Sequence, residues 1–455
     1  MCNFVTTFTQ KQYIMDIKEL YAYYREHPTV TTDSRDCPQG SIFIALKGES
    51  FDGNRFAAQA LDKGCSLAVV DDAQVYDDFI HAGGDPQRMM LVNDSLLTFK
   101  HLAREHRRRF SIPVIGITGT NGKTTTKELV SAVLSRKYDT VYTTGNLNNH
   151  IGVPLTLLRM NRRTRMAVIE MGASSPGEIA TLADIAEPTH GIVTNVGRAH
   201  LEGFGSFEKI KKTKGELYDF LRQSGGTVFC NADNPVIAEM VAARPGLRTI
   251  RYGQSISGST VLPVTAEHPF LRLAPGAEAP VISTHLVGSY NADNVLAALA
   301  VASCFDVPQD EAIAALGEYA PSNDRSQMVA TGRNTLIVDA YNANPTSMNT
   351  ALDNLAASEF PGKTVILGDM LELGEVSCSE HEAVIGKALG ITDSVFLVGE
   401  EFAAAAAVAG SASKVHCFQD VAALRDYLAD NPLSDRTILI KGSHGMHLER
   451  LRDAL

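Results

Sequence analysis

Between an apolar run, Ile112-Pro113-Val114-Ile115, and a stretch whose apolar residues Leu129, Val130, Val133 and Leu134 fall at helical spacing lies Gly116-Ile117-Thr118-Gly119-Thr120-Asn121-Gly122-Lys123-Thr124-Thr125. A buried strand, a glycine-rich turn, Gly-Lys-Thr and a helix are the parts of a phosphate-binding loop. The glycines let backbone N–H groups turn inward around an anion, and the helix N-terminus adds partial positive charge. In such a loop Lys123 reaches terminal phosphates and the Thr124 hydroxyl reaches a Mg²⁺ ion. The spacing is one residue off the common G-x-x-x-x-G-K-[ST] form: Ile117 stands where the first glycine belongs, and Gly116 precedes it. A plain strand–helix turn with a surface lysine is the competing reading. The position of Gly-Lys-Thr-Thr at the junction weighs against it.

At 455 residues the chain is too long for one core, so two to four domains are expected. A formal net charge of −11 argues against a nucleic-acid binder, which needs a basic face. Seven cysteines without a C-x-x-C pair favour a reducing compartment over a disulfide framework or a zinc site. No basic-then-apolar leader and no bilayer-length apolar run is present, so a cytoplasmic protein without membrane insertion is expected.

Three divisions follow from the pattern. Residues 1–109 mix short strands (Thr29–Thr32, Ser41–Leu46, Ser66–Asp71, Met89–Val92) with helices over Asp16–Arg25, Asp52–Lys63 and Ser95–Arg109. Their loops carry Thr32-Asp33-Ser34-Arg35 and Lys47, which suit a phosphorylated ligand but are equally ordinary turn residues. Arg107-Arg108-Arg109 reads as a helix C-terminus favoured by the dipole.

Residues 110–320 hold the phosphate loop and further strands at Thr140–Tyr142, Met166–Glu170, Gly191–Asn195 and Gly226–Cys230, then an irregular β-rich stretch over 250–288. Glu170 closes a strand at its carboxyl end, the edge where an open α/β sheet binds ligands, and so is placed for the same Mg²⁺. His200 follows the next strand. Lys209, Lys211, Lys212 and Lys214 read as a solvated helix face, from which composition separates none.

Residues 321–455 alternate strand and helix, predicting a parallel sheet with helices on both faces. Polar clusters follow three of its strands: Asp339-Ala340-Tyr341-Asn342-Ala343-Asn344-Pro345, Gly368-Asp369-Met370-Leu371-Glu372 and Lys441-Gly442-Ser443. Three such loops along one edge exceed what turn chemistry requires.

Taken together these residues resemble the Mur ligases, ATP-dependent amide-forming enzymes of bacterial cell-wall precursor synthesis. The resemblance spans essentially the whole chain. Gly119-Thr120-Asn121-Gly122-Lys123-Thr124 is similar to the family's phosphate loop. The stretches Asn148–Pro154, Asp339–Met348 and Leu367–Gly374 look like the member that adds D-alanyl-D-alanine to a UDP-N-acetylmuramoyl-tripeptide. The resemblance implies an N-terminal α/β UDP-sugar-binding domain, a central ATPase with a mostly parallel sheet and a C-terminal Rossmann-like doubly wound domain, in a monomer.

Residue roles also come from the resemblance. ATP would meet Gly119–Thr125, Asn291 and Asn294, with Arg325 and Asp339 from the third domain. One Mg²⁺ would lie on Thr124 and Glu170. A second would lie on His200 and a carbamylated Lys214. Thr32, Asp33, Ser34, Arg35 and Lys47 would meet the nucleotide-sugar, and Asn149, Asn342, Asn344 and Asp369 the peptide substrates. Two departures stand out: Tyr290 precedes Asn291 where the family has His, and His444 follows Lys441-Gly442-Ser443 where a basic residue is common. The alternatives are a related Mur or folylpolyglutamate-type ligase adding a single amino acid, and an NTPase switch. An Asn-Lys-x-Asp motif that would support the switch is absent.

Overall fold

The computed structural model describes residues 17–199, 201–275, 280–321 and 325–455. It is an α/β structure that divides into two compact units. The first takes residues up to Ile112 with Thr143–Thr164 and Asp184–Glu187; the second takes Pro113–Tyr142, Arg165–Ala183 and the chain from Pro188 on. The stretch around Asn149 therefore packs with the N-terminal residues, although it follows the phosphate loop in sequence.

In the first unit four short parallel strands run in chain order: Val30–Thr31, Ile42–Ile44, Leu67–Val70 and Met89–Leu91. The middle two are wholly buried, as apolar runs in parallel sheets must be. The helix Ala73–His81, not expected from its sequence, begins on Asp72, whose carboxylate accepts from Gln74 N and Val75 N. None of its residues is fully buried; Val75, Tyr76 and Phe79 are partly buried against the core of this unit.

The second unit holds two six-stranded sheets. In the first the order is Arg248–Tyr252, Thr227–Asn231, His190–Val193, Val114–Thr118, Met166–Glu170, Thr140–Tyr142, all parallel. Arg248–Tyr252 is the edge strand, mostly exposed, and its polar residues Arg248, Thr249 and Arg251 hid it from a hydrophobic reading. The helix Lys123–Ser135 buries Leu129, Val130, Val133 and Leu134 beneath this sheet, each worth roughly 1.5–3 kcal/mol. The β-rich stretch is a three-stranded antiparallel sheet, Ser259–Val261, Arg272–Pro275 and Ile282–Ser283.

The second six-stranded sheet runs Gln327–Ala330, Thr335–Asp339, Thr437–Lys441, Lys363–Gly368, Val395–Val398, His416–Phe418. Five strands are parallel as expected, but Gln327–Ala330 is antiparallel to its neighbour. Only four residues separate it from Thr335, and so short a connection cannot make the crossover a parallel pair needs. Separate apolar clusters cover the two faces of this sheet.

Arg107 does more than end a helix. Its guanidinium is buried and donates to the carbonyls of Ala186 (3.0 Å), Phe110 (2.6 Å) and Glu187 (3.1 Å). Arg108 makes only a half-exposed ion pair with Glu187 at 2.6 Å. Removing the buried donor strands several acceptors, so Arg107→Ala should cost about 2–4 kcal/mol. Arg108→Ala should cost less than about 1 kcal/mol. Urea unfolding midpoints check this; equal shifts for the two variants would contradict it.

Candidate active site

The strand Val114–Thr118 stops where the glycine-rich loop begins, and its neighbours Met166–Glu170 and His190–Val193 end at the same edge. The register sets Glu170 beside Ile117 and Val193 beside Thr118. Two glycines shape the turn. Gly119 has φ 147°, and a Cβ there would lie 2.0 Å from Thr194 Oγ1. Gly122 has φ 78°, and a Cβ there would lie 2.9 Å from Asn294 Oδ1. No side chain fits either place without displacing a neighbour.

The loop is braced from the next strand. Asn195 accepts from Thr120 N on its carbonyl and from Asn121 N on Oδ1, both at 3.0 Å, and donates from Nδ2 to Asn121 O at 3.0 Å. Thr194 Oγ1 donates to Asn121 O at 2.6 Å. Sequence reasoning missed both residues; their one signal is their place at a strand's carboxyl end. Inside the helix the first amide bond runs from Thr126 N to Gly122 O (2.8 Å), so the amides of Lys123, Thr124 and Thr125 have no acceptor within it.

Lys123 Nζ folds back over the loop and donates to Gly119 O (2.9 Å) and Thr120 O (2.8 Å). Burial pulls its pKa down to about 8; Glu170 opposes the shift and Arg325 adds to it. Thr124 Oγ1 donates to Glu170 Oε1 at 3.1 Å, and both side chains are buried. A hydroxyl beside a carboxylate is a hard-oxygen donor set that suits Mg²⁺. Among the described residues no group of three or more His, Cys, Asp or Glu could hold a metal ion. An ion on Thr124 and Glu170 would complete its shell with phosphate oxygens and water, as Mg²⁺ commonly does.

The lysine cluster separates by helical phase. On the helix Phe207–Ser224 the buried stripe is Ile210, Thr213, Lys214, Leu217, Tyr218 and Leu221. Lys209 and Lys212 are exposed, and Lys211 pairs with Glu239 at 2.8 Å. Lys214 alone of the four points inward. Its Nζ lies 3.4 Å from Ala173 O and 5.5 Å from the Phe204 ring centre. Burial pulls its pKa down to about 7, Lys123 adds to the shift, and Glu178 and Glu216 oppose it. The spacing Ile210, Lys214, Leu217, Leu221 could have singled it out. His200, expected beside it, lies outside the described residues.

Asn291 and Asn294 lie behind the loop. Asn294 Nδ2 donates to Asn291 Oδ1 (2.8 Å), and Thr126 Oγ1 donates to Asn294 Oδ1 (2.9 Å). Tyr290, at the departure noted above, meets Ser326 Oγ at 2.5 Å, and burial pushes its phenol up.

The polar loops of the C-terminal sheet reach the phosphate loop. Asn344 Nδ2 donates to Asn121 Oδ1 at 2.9 Å, and Asn121 Nδ2 returns a longer bond of 3.4 Å. Asn344 also caps the helix Pro345–Ala357 in a capping box with Ser347. Asp339 accepts from Ser326 N (3.2 Å) and from Lys441 Nζ (2.7 Å), and Lys441 also donates to Asn342 O (2.9 Å). The Arg325 guanidinium lies 3.7 Å from the Tyr341 ring centre. Asn342 Oδ1 accepts from Ala343 N at 2.8 Å. Asp369 is buried and spends its carboxylate on Phe402 N (2.9 Å) and Glu401 N (3.1 Å) at a helix start. Burial pushes its pKa up, against those bonds.

The remaining expected residues lie in the first unit. Asp33 and Arg35 pair with each other at 2.8 Å, Ser34 O accepts from Lys63 Nζ at 2.7 Å, and Thr32 is half-buried. Lys47 pairs with Asp71 at 3.0 Å. Asn149 Oδ1 accepts from Ile151 N and Gly152 N at 3.0 and 2.9 Å, just ahead of the short helix Gly152–Leu157.

Three family models match the chain: Mur ligase family, catalytic domain over residues 28–104; Mur ligase middle domain over 117–302; and Mur ligase, glutamate ligase domain over 324–444. The UDP-N-acetylmuramoyl-tripeptide–D-alanyl-D-alanine ligase of Synechocystis is 36% identical over 92% of this chain and 90% of its own length. The enzyme of the same name from Bacillus subtilis is 33% identical over 93% and 92%. A crystal structure of MurF from Acinetobacter baumannii superposes with a TM-score of 0.81 at 30% identity, covering 93% of this chain and 92% of that one. MurF ligase from Thermotoga maritima in complex with ADP also gives 0.81, at 28% identity, covering 94% and 96%. With the phosphate loop, the inward lysine and the C-terminal loops in place, the chain belongs to the Mur ligase family, with that family's three-domain α/β fold.

Proposed function

We propose that this chain is an ATP-dependent ligase that joins D-alanyl-D-alanine to the terminal carboxylate of UDP-N-acetylmuramoyl-tripeptide, releasing ADP and phosphate, in peptidoglycan precursor synthesis. The carrying observation is that the phosphate loop, with its buried Thr124–Glu170 pair, is bonded directly to the C-terminal Asn342–Pro345 loop through Asn344. Relatives 31–36% identical over most of their length carry the name of this ligase, which supports the choice of substrates.

Forming an amide from a free carboxylate in water is uphill, so the carboxylate must first be activated. Transfer of the ATP γ-phosphoryl group to the carboxylate gives an acyl phosphate and ADP; the dipeptide amine attacks its carbonyl carbon, forming the amide C–N bond as phosphate leaves. Phosphoryl transfer is mainly positioning and charge neutralisation. Lys123 and the first-turn amides hold the phosphates, and Arg325 and Asp339 approach ATP from the C-terminal domain. Asn291 and Asn294 serve the adenine side. Bound Mg²⁺, two ions in this reading, supplies positive charge across the phosphates. Thr124 and Glu170 would hold the first, and His200 with a carbamylated Lys214 would hold the second.

A lysine whose pKa lies near 7 is neutral enough at physiological pH to add CO₂, and the resulting carbamate offers oxygens where an ammonium would repel the ion. Thr32, Asp33, Ser34, Arg35 and Lys47 serve the nucleotide-sugar. Asn149, Asn342 and Asn344 serve the peptide ends, and Asp369 acts through the loop it anchors. No described helix is long and apolar enough to cross a membrane, and the reading places a monomer in the cytoplasm.

Phosphate release should require ATP, UDP-N-acetylmuramoyl-tripeptide and D-Ala-D-Ala together. Equal turnover with lysine or diaminopimelate in place of the dipeptide would sink the assignment. Lys123→Ala should lose at least 100-fold in kcat (roughly 2.7 kcal/mol) while its far-UV circular dichroism is unchanged. Near-wild-type turnover would remove the phosphate-loop reading.

For Lys214, Lys214→Ala should be nearly inactive and partly rescued by short carboxylic acids, while Lys209→Ala and Lys212→Ala stay near wild type. The amine reacts with CO₂ only when unprotonated. Activation of bicarbonate-depleted enzyme by bicarbonate should therefore fade as pH drops below about 7. Full activity of Lys214→Ala without bicarbonate would return this residue to a packing role.

A further inference from the structure

The loop after the strand Lys363–Gly368 is held at every backbone amide from Asp369 to Leu371. Asp369 N donates to Val398 O at 3.1 Å, and Leu371 N donates to Ser443 Oγ at 3.0 Å. Between them Met370 N donates to His381 Nε2 at 3.0 Å. Further on, Glu372 has φ 66°, and its carbonyl accepts from Glu202 N at 3.3 Å, in the phosphate-loop domain. Leu371, at the tip, is 46% exposed.

His381 is the uncommon member of this set. It is fully buried on the helix Ser377–Leu389, with its ring edge-on to Phe402 at 4.5 Å. The partners fix its tautomer. A backbone N–H can only donate, so Nε2 must be bare. Nδ1 lies 2.7 Å from the Ser377 carbonyl, which can only accept, so Nδ1 carries the proton. The Ser377 hydroxyl, 3.2 Å from Nδ1, donates to Glu401 Oε2 at 2.6 Å, and Glu401 N donates to Asp369 Oδ2. One neutral imidazole thus ties the middle of the loop to the same helix start that holds the Asp369 carboxylate.

We propose that His381 is a positioning residue for the ligation, holding the Asp369–Leu373 loop in the shape that receives the incoming dipeptide. The inference rests on the reading of that loop as part of the amine site. His381 touches no reacting atom; it acts by supplying an acceptor to Met370 N in the loop's wall. A packing role alone would ask for an apolar ring of the same size and would not care which nitrogen is bare.

The test uses the full-length chain. Nitrogen-15 NMR of the wild type should show His381 protonated at Nδ1 and bare at Nε2; the opposite tautomer overturns the proposal whether or not any variant folds. His381→Ala should speed hydrogen exchange at the Met370 amide at least tenfold. It should raise KM for D-Ala-D-Ala at least tenfold, with KM for ATP within twofold. His381→Gln, whose side-chain oxygen can accept the same bond, should recover most of both effects. Unchanged exchange in His381→Ala overturns the positioning role itself. Faster exchange with an unchanged KM for the dipeptide overturns the assignment of the loop to the amine, and the proposal with it.

Discussion

The first turn of a helix leaves its amides without partners in the helix, and here that turn starts at Lys123, directly after a glycine turn. This donor-rich end has to be kept open and kept still at once. The chain meets the demand by bracing the loop from elsewhere: Asn195 and Thr194 from the neighbouring strand, and Asn344 from the C-terminal sheet. Each bracing group is a neutral amide or hydroxyl. They satisfy the loop without bringing a negative charge that would compete with a phosphate.

Around that end the buried charges follow a consistent logic. Lys123 and Lys214 are both pulled toward neutrality by burial, with Arg325 adding to the shift of Lys123 and Lys123 adding to that of Lys214. Glu170 favours the Lys123 cation, and Glu178 and Glu216 favour the Lys214 cation. The site thus has two amines near the point of giving up charge and one buried carboxylate already hydrogen-bonded to a hydroxyl. An incoming polyanion and its cations would complete that balance.

Much of this was legible in the sequence because local chemistry carried it. Gly119, Gly122 and Lys123 announce a loop at a strand–helix junction, and Glu170 closes a run of buried residues at a strand end. The parallel sheets followed from the alternation of apolar strands and helices. Hidden features fell into two kinds. Arg248–Tyr252 and Gln327–Ala330 are edge strands, whose half-exposed residues break the apolar pattern. The Asn121–Asn344 pair joins residues 223 positions apart, and no local pattern encodes that meeting. Lys214 lies between the two kinds: composition could not distinguish it from its neighbours, yet its phase with Ile210, Leu217 and Leu221 could.

The contact between the phosphate-loop domain and the C-terminal domain includes joints of unlike physics. Asn121 and Asn344 exchange bonds between uncharged amides, which do not titrate and feel little of the surrounding ions. Arg198 and Glu380 form the other joint at 3.1 Å, with the arginine 62% exposed, so salt screens it. A rise in ionic strength therefore weakens the ion pair and leaves the amide pair in place. Of these two joints, one is open to the electrolyte and the other is not.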